Sequence, residues 1–305
     1  MADEITTTIV TELIPELIES RVLDAVKRRQ IFWPIIGEEN KINMGTVGKV
    51  TNVAQIVEVD LAATTEGVAP SNTAFNPTDR QLTVATYGAK FFIPWEARQY
   101  SGVDPADLVS RAVAIAAVKL EDTDSTGFAG LYAEAPTSGP DHTIGVSGTN
   151  MTAALVRSGK ELLLTQNADD EVHHVIASTQ WGHLMQDNDA KQWLKQTRDG
   201  ALQMAVTRGV QPDRYLGQVY GVNEYVANGM ISSSGLHSIM WANGAIGCGY
   251  KLIATETSPT PSRVNVSLRW DDEAFGWHVN IRMIHDISGL CFSASTNKWL
   301  VDIIT

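Results

Sequence analysis

Residues 263–283, RVNVSLRWDDEAFGWHVNIRM, carry the most regular pattern in the chain. Val264, Val266, Leu268 and Trp270 alternate with Arg263, Asn265, Ser267 and Arg269. Beyond the acidic break, Phe275, Trp277, Val279, Ile281 and Met283 alternate with Gly276, His278, Asn280 and Arg282. Successive side chains of a strand point to opposite faces, so each half reads as a strand with one apolar face and one polar, partly basic face. The intervening Asp271-Asp272-Glu273-Ala274 is short and polar enough to be the turn of an antiparallel ribbon. Its apolar face needs a second layer to bury it.

A helix for that layer lies upstream. Asp104 is a good cap, Pro105 fits the first helical position and Asp107 adds acid to the first turn. Leu108, Val109, Ala112, Val113, Ile115, Ala116 and Leu120 form a stripe, and the pattern continues from Phe128 to Leu131. At about 1.5 Å per residue this predicts one strut on the order of 40 Å long. Before it, 50–61 (VTNVAQIVEVDL) and 81–93 read as strands, joined by small and polar residues. A connection of that length is uncommon inside a compact domain, so the pair reads as a long hairpin arm that finds its packing on a neighbouring subunit. The first segment, 6–30, has helical spacing at Leu13, Ile14, Leu17, Ile18, Val22, Leu23 and Val26. It ends in Lys27-Arg28-Arg29, a dense basic cluster that offsets the helix dipole or faces a polyanion. After a Gly/Ser/Pro-rich stretch at 136–150, an inserted α/β region is expected: helix 151–165, strand 172–178, helical pieces at 181–185 and 198–208, and strands near 215–226 and 239–242.

Composition narrows the function. The 305 residues hold 23 Lys plus Arg against 35 Asp plus Glu, a formal charge of −12, so avid non-specific binding to DNA or to an anionic membrane is not expected. The acidic start, Met1-Ala2-Asp3-Glu4, lacks the features of a signal peptide, and the apolar run 112–118 is far short of the roughly 20 residues of a spanning helix. Cys248 and Cys291 have no metal-ligand spacing and are expected to be inert and buried. His173 and His174 are adjacent in a strand and point to opposite faces, so they cannot chelate one ion together. Gly244, Gly247 and Gly249 in GAIGCGYK match no phosphate loop and are expected to serve backbone freedom at a turn. No Gly-x-Ser-x-Gly elbow, His-Glu-x-x-His helix or spaced triad nominates an active site, and no cofactor or metal is expected.

The order of these parts resembles the major capsid proteins of tailed bacteriophages, with the Hong Kong 97-like α+β fold that encapsulins share. The stretches VHHVIASTQWGHLMQD, GQVYGVNEYVANG and ANGAIGCGYK look like that family's axial-domain segments. The resemblance implies an N-terminal arm at 1–47, an E-loop hairpin at 48–94, a long spine helix with the first part of a peripheral domain at 95–150, an inserted axial domain at 151–243, and a return to the peripheral domain at 244–305. It also implies a structural function: copies assemble as pentamers and hexamers into an icosahedral shell around double-stranded DNA, by non-covalent interlocking of arm and E-loop with neighbours. A separate scaffolding protein, a portal and a decoration protein are the expected partners. The expected location is the virion, after synthesis in the bacterial cytoplasm. The alternative is an encapsulin-type compartment around an enzyme cargo; a cytoplasmic α+β enzyme would leave the long hairpin arm exposed. Candidate subunit contacts are Glu66, Asp79, Arg80, Arg269, Asp271, Asp272 and Glu273, with Arg269 or a neighbour's Arg80 expected to offset the acidic turn. Lys27, Arg28 and Arg29 are the candidate DNA-facing residues. Some family members join an E-loop lysine to a hairpin asparagine. Here no lysine lies between Thr51 and Ala89 and the turn holds no asparagine, so no covalent cross-link is expected.

Overall fold

A computed structural model describes residues 30–45, 50–54, 79–95, 105–123, 127–135, 142–166, 168, 171–195, 214–227, 230, 235–253, 263–290 and 299–305. In chain order its elements are a helical turn α1 (Phe32–Ile35), strands β1 (Lys41–Asn43), β2 (Val50–Ala54), β3 (Asp79–Thr83) and β4 (Ala85–Pro94), and helix α2 (Pro105–Val118). Then follow β5 (Thr143–Gly145), α3 (Ala153–Thr165), β6 (Val172–Ala177), α4 (Ser178–Leu184), β7 (Tyr215–Val219), β8 (Val222–Ala227), β9 (His237–Ala242), β10 (Ile246–Tyr250), β11 (Val264–Asp271), β12 (Gly276–Gly289) and β13 (Leu300–Ile304).

The ribbon forms in the register its alternation predicts, with Val264 opposite Met283 and Trp270 opposite Trp277. The long strand β12 centres a five-stranded sheet. Strand β11 lies on one edge; β4 and then β10 pair along the other. Val113, Ala114 and Ala117 of α2 pack on Val264, Val266, Val279, Ile281 and Met283, so α2 supplies the missing layer. That helix is shorter than expected. It passes at Lys119 into a widened π turn, Lys119–Thr123, and the apolar 128–131 stretch belongs to a separate 3₁₀ segment, Phe128–Glu134. The single long strut is therefore broken. Within the π turn Glu121 and Asp122 are both buried, and the chain returns so tightly that a Cβ on Gly127 would lie 2.4 Å from the carbonyl of Leu120.

The base of the hairpin arm is present as β2 paired with β3, while 55–78 lies outside the described residues. The expected strand 81–93 is two strands. At Val84 the chain leaves β2 and joins β12, held by Thr83 N donating to Asp286 Oδ2 at 2.7 Å.

A second sheet of six strands has the order β5-β13-β9-β6-β8-β7. It takes in 143–145 and 300–304, from either side of the expected 151–243 insertion, along with its own strands. Helices α3 and α4 cover one face through Val156, Leu163 and Leu184, while Phe32, Phe128 and Leu131 cover the other against Val175, Tyr225 and Trp241. With both faces covered, every residue of β6, β8 and β9 is buried and alternation disappears from their sequences. Helix α3 begins at Ala153, two residues after the expected 151, because the Thr152 side chain accepts from Leu155 N and caps it. The helical piece expected at 198–208 lies outside the described residues.

The glycines of GAIGCGYK divide. Gly244, at φ +84°, sits in the turn between β9 and β10, as expected. Gly247 and Gly249 instead lie inside β10, where a Cβ would come within 2.9 Å of Leu290 and 3.3 Å of Val84. They admit neighbouring side chains against the strand.

Candidate functional site

The ribbon tip is built by Asp271. Its Oδ1 accepts from Glu273 N at 3.0 Å and Ala274 N at 3.1 Å, and its Oδ2 lies 3.0 Å from His278 Nε2. These contacts, the amide of Ala274 foremost and then His278, hold the carboxyl below its ordinary range. Trp95 N donates to Phe275 O at 2.9 Å, which ties the turn to the chain leaving β4. Phe275 has φ +45°, a left-handed conformation that turns its ring outward, and it is 70% exposed. This corrects the alternation pattern, which places Phe275 on the core face. The pattern holds only where the ladder continues, and Phe275 belongs to the turn.

The ribbon face opposite α2 is open toward the tip, while Asn265 nearer the base is buried and donates to Ile253 O. Lys90, Arg269 and Arg282 are exposed on it, in adjoining strands. Gly88 runs close to the Ile281 carbonyl, 2.9 Å from where a Cβ would be, with the Arg282 stem beside it. Phe92, 41% exposed, lies over Gly276 and 5.0 Å from the His278 ring, and Trp95 is 43% exposed nearby. Among the described residues none of the three cations is ion-paired, and Asp272 and Glu273 project from the tip in the same condition.

Of the candidate contact residues, the structure brings Arg269, Asp271, Asp272 and Glu273 to one end of the ribbon. Within the chain, His278 and not Arg269 partners Asp271. Asp79 and Arg80 open β3, opposite Ala54 and Val53. Glu66, Lys27, Arg28, Arg29 and Cys291 lie outside the described residues. Phe92 and Lys90 were not among the candidate contacts, and Phe275 was read as a core residue. The alternation did place Arg282 on the polar face, but nothing local marks Phe92 or Lys90 as its neighbours.

A buried junction ties the ribbon to the start of the described chain. Arg263 pairs with Glu121 and stacks 3.4 Å over the Trp33 ring, and Gln30 donates to the same carboxylate. Asp122 Oδ2 accepts from Ile31 N at 3.0 Å. Burial, helped by the charge of Glu121, raises the Asp122 carboxyl to about 8, and burial lowers His285 nearby. Cys248 is buried as expected, and burial pushes its thiol far up, away from nucleophilic character.

The six-stranded sheet contains an arrangement that spacing gave no sign of. His174 Nδ1 lies 2.8 Å from Glu224 Oε2 and Nε2 lies 3.1 Å from Ser238 Oγ, an order of serine, histidine and acid familiar from hydrolases. All three are fully buried. Ser238 Oγ donates to Ile303 O at 3.1 Å, so it accepts from the imidazole, which leaves one proton shared between Nδ1 and Glu224. A serine whose proton is committed to a backbone carbonyl, with no exposed surface, ties β6, β8, β9 and β13 together and presents no nucleophile to a substrate. His173 points to the other face, toward Trp241 and Tyr225, as the strand geometry requires. A second pair, His237 Nδ1 and Asp302 Oδ2 at 2.9 Å, joins β9 to β13; burial raises Asp302 to about 6.

No family model matches this chain, and no curated protein matches it by sequence. Solved structures do match. The capsid of Ralstonia phage GP4 aligns over 91% of this chain and 91% of its own, with a TM-score of 0.67 at 14% identity. The capsid asymmetric unit of cyanophage Pam1 aligns over 90% and 92%, with a TM-score of 0.60 at 15% identity. The SrpI encapsulin complex from Synechococcus elongatus PCC 7942 aligns over 87% and 84%, with a TM-score of 0.53 at 10% identity. The chain thus has the α+β fold of phage capsid proteins, which encapsulins share. Among the described residues no helix is long and apolar enough to cross a membrane.

Proposed function

We propose that this chain is a shell-forming structural protein, the major capsid protein of a tailed phage, whose copies close around double-stranded DNA. The observation that carries the reading is likeness to phage capsids along about nine-tenths of both chains. Lys90, Arg269 and Arg282 exposed on one ribbon face, with Phe275 outward at the tip, are consistent with that reading. Glu66, Asp79, Arg80, Arg269, Asp271, Asp272 and Glu273 are the proposed subunit contacts, and Lys27, Arg28 and Arg29 the proposed DNA-facing residues. The role is structural and non-covalent, without catalysis, cofactor or cross-link. Pentamers and hexamers, a scaffolding protein, a portal and a decoration protein belong to the same proposal, as does synthesis in the bacterial cytoplasm followed by residence in the virion.

The encapsulin match favours a second reading, a compartment around an enzyme cargo. Expression of the full chain, alone and with a candidate scaffold, followed by sedimentation and negative-stain imaging, tests both. Closed particles tens of nanometres across support assembly, and their content of DNA or of cargo protein separates the readings. A stable monomer or small oligomer under both conditions refutes assembly. A ladder of covalent multimers on a denaturing gel would overturn the non-covalent claim.

A further inference from the structure

The chain passes from the six-stranded sheet to the five-stranded one through the turn between β9 and β10. That turn holds Asn243 and Gly244 and is closed by Ala245 N donating to Ala242 O at 3.1 Å. Asn243 is the one asparagine among the described residues that is followed by glycine. Gly244 N donates to Asn243 Oδ1 at 3.1 Å, so the next residue's amide nitrogen lies against the side-chain carboxamide. Gly244 has no Cβ to crowd that nitrogen, and the nearest atom to where one would be is on the Trp299 ring at 3.7 Å. A cleft of about 330 Å³, lined in part by Ile36, Glu38, Glu171 and the half-buried Asn243, opens beside the turn and admits water.

We propose that Asn243-Gly244 is a self-modifying site, at which the asparagine loses ammonia through a succinimide and becomes aspartate or isoaspartate. Hydroxide takes the proton of Gly244 N, and the nitrogen attacks Asn243 Cγ. The Cγ–Nδ2 bond then breaks, and Nδ2 leaves as ammonia after taking a proton from water. Water opens the five-membered imide at the side-chain carbonyl to give aspartate, or at the main-chain carbonyl to give isoaspartate. No oxidant or cofactor enters. Holding the nitrogen against the carboxamide makes the first step intramolecular, which is where the rate comes from. Asn43 shows the contrast: its Oδ1 accepts from Gly45 N, two residues on, and not from the nitrogen that would close a five-membered ring. The chemistry belongs to the single chain and is independent of assembly.

The product carboxylate has a place to act. Asn243 Nδ2 donates to Glu39 Oε1 at 3.4 Å, in the 3₁₀ turn Glu38–Asn40 that leads into β1. Glu39 is folded back over Gly37, where any Cβ would collide with its carboxylate. Conversion replaces the donor by a second carboxylate, so the contact becomes a repulsion, with Glu38 and Glu171 on the same cleft. The edge strand β1, paired to β10 from Lys41 to Asn43, loses this tie.

Incubation of the folded full chain from pH 7 to 9, followed by peptide mapping with mass spectrometry, tests the site. Asn243 is expected to convert at least about tenfold faster than Asn43 or Asn223. The rate climbs with hydroxide, and the product contains isoaspartate as well as aspartate. Asn243→Gln, which would have to close a six-membered ring, stops conversion while the chain still melts cooperatively. A folded chain that keeps Asn243 intact for as long as the same chain in urea takes to convert it overturns the proposal, because the fold then shields the site. Conversion to aspartate alone overturns the imide route. The consequence is read on Asn243→Asp by hydrogen exchange: the amides of Asn40 and Met44, which donate to Gly37 O and Tyr250 O, exchange at least about tenfold faster than in the unmodified chain. Unchanged exchange overturns the loss of the tie.

Discussion

The two sheets solve the same burial problem in opposite ways. In the six-stranded sheet both faces are covered from within the chain, by α3 and α4 on one side and by Phe32 and Phe128 on the other, and its polar groups pair inside as His174–Glu224–Ser238 and His237–Asp302. In the ribbon, α2 covers one face, and on the other Lys90, Arg269 and Arg282 are exposed to solvent. The first sheet is covered on both sides by its own chain, and the second leaves charged side chains of one face in solvent. Substitutions in the first should act on subunit stability, and substitutions on the open face should act on assembly.

The largest expected effect is in the finished sheet. Glu224→Ala leaves His174 buried without its acid, and removal of one member of a buried pair costs about 3–5 kcal/mol. A denaturant midpoint that barely moves would contradict the assigned network. Next is a pH effect. The carboxyls of Asp122 and Asp302 are raised in the folded state, to about 8 and about 6, so that state holds more protons than the unfolded chain. Their contribution is fully present below about pH 4 and is lost as pH rises through 6 for Asp302 and through 8 for Asp122, each at up to about 1.4 kcal/mol per pH unit. Melting temperature between pH 7 and 9 should therefore fall as pH rises, whereas below about pH 6.5 the lowered His285, favoured neutral in the fold, opposes the loss from Asp302. Asp122→Asn should flatten the limb above pH 7, and a curve rising there would contradict the assignment.

The smaller effects sharpen the contrast. Phe275→Gly removes a left-handed bulky residue that packs little, so the subunit gains about 1 kcal/mol while particle yield drops. A gain in both quantities would show that the ring has no partner. Lys90→Ala and Arg282→Ala should leave subunit stability within about 0.5 kcal/mol, as exposed substitutions do, so any loss they cause appears only in assembly.

The α+β class, the ribbon and its register were legible in the sequence because one covered face and one wet face print a period of two on the chain. The helix expected at 151–165 was legible to within two residues, the Thr152 cap setting its start at Ala153. The strands β6 and β8 were harder to read, since burial on both sides erases alternation. The candidate contacts were legible as charges at a turn, but their relation to Lys90 and Phe92 was not.

What the sequence determined by itself is whatever depends on near neighbours: the alternation of 264–283, the acidic turn, the start of α2 at Pro105, and opposite directions for His173 and His174. Tertiary structure alone decided the rest. It broke the expected strut at a π turn where Glu121 and Asp122 are drawn into the junction with Arg263 and Ile31, and it gave Gly247 and Gly249 to close packing instead of a turn. It gathered Ser238, His174 and Glu224 from three strands, and it turned Phe275 outward at the one position where the ladder ends. The physical reason is range. Propensity and alternation act over a few residues, whereas burial and hydrogen-bond pairing are settled by whichever distant segments the fold brings into contact.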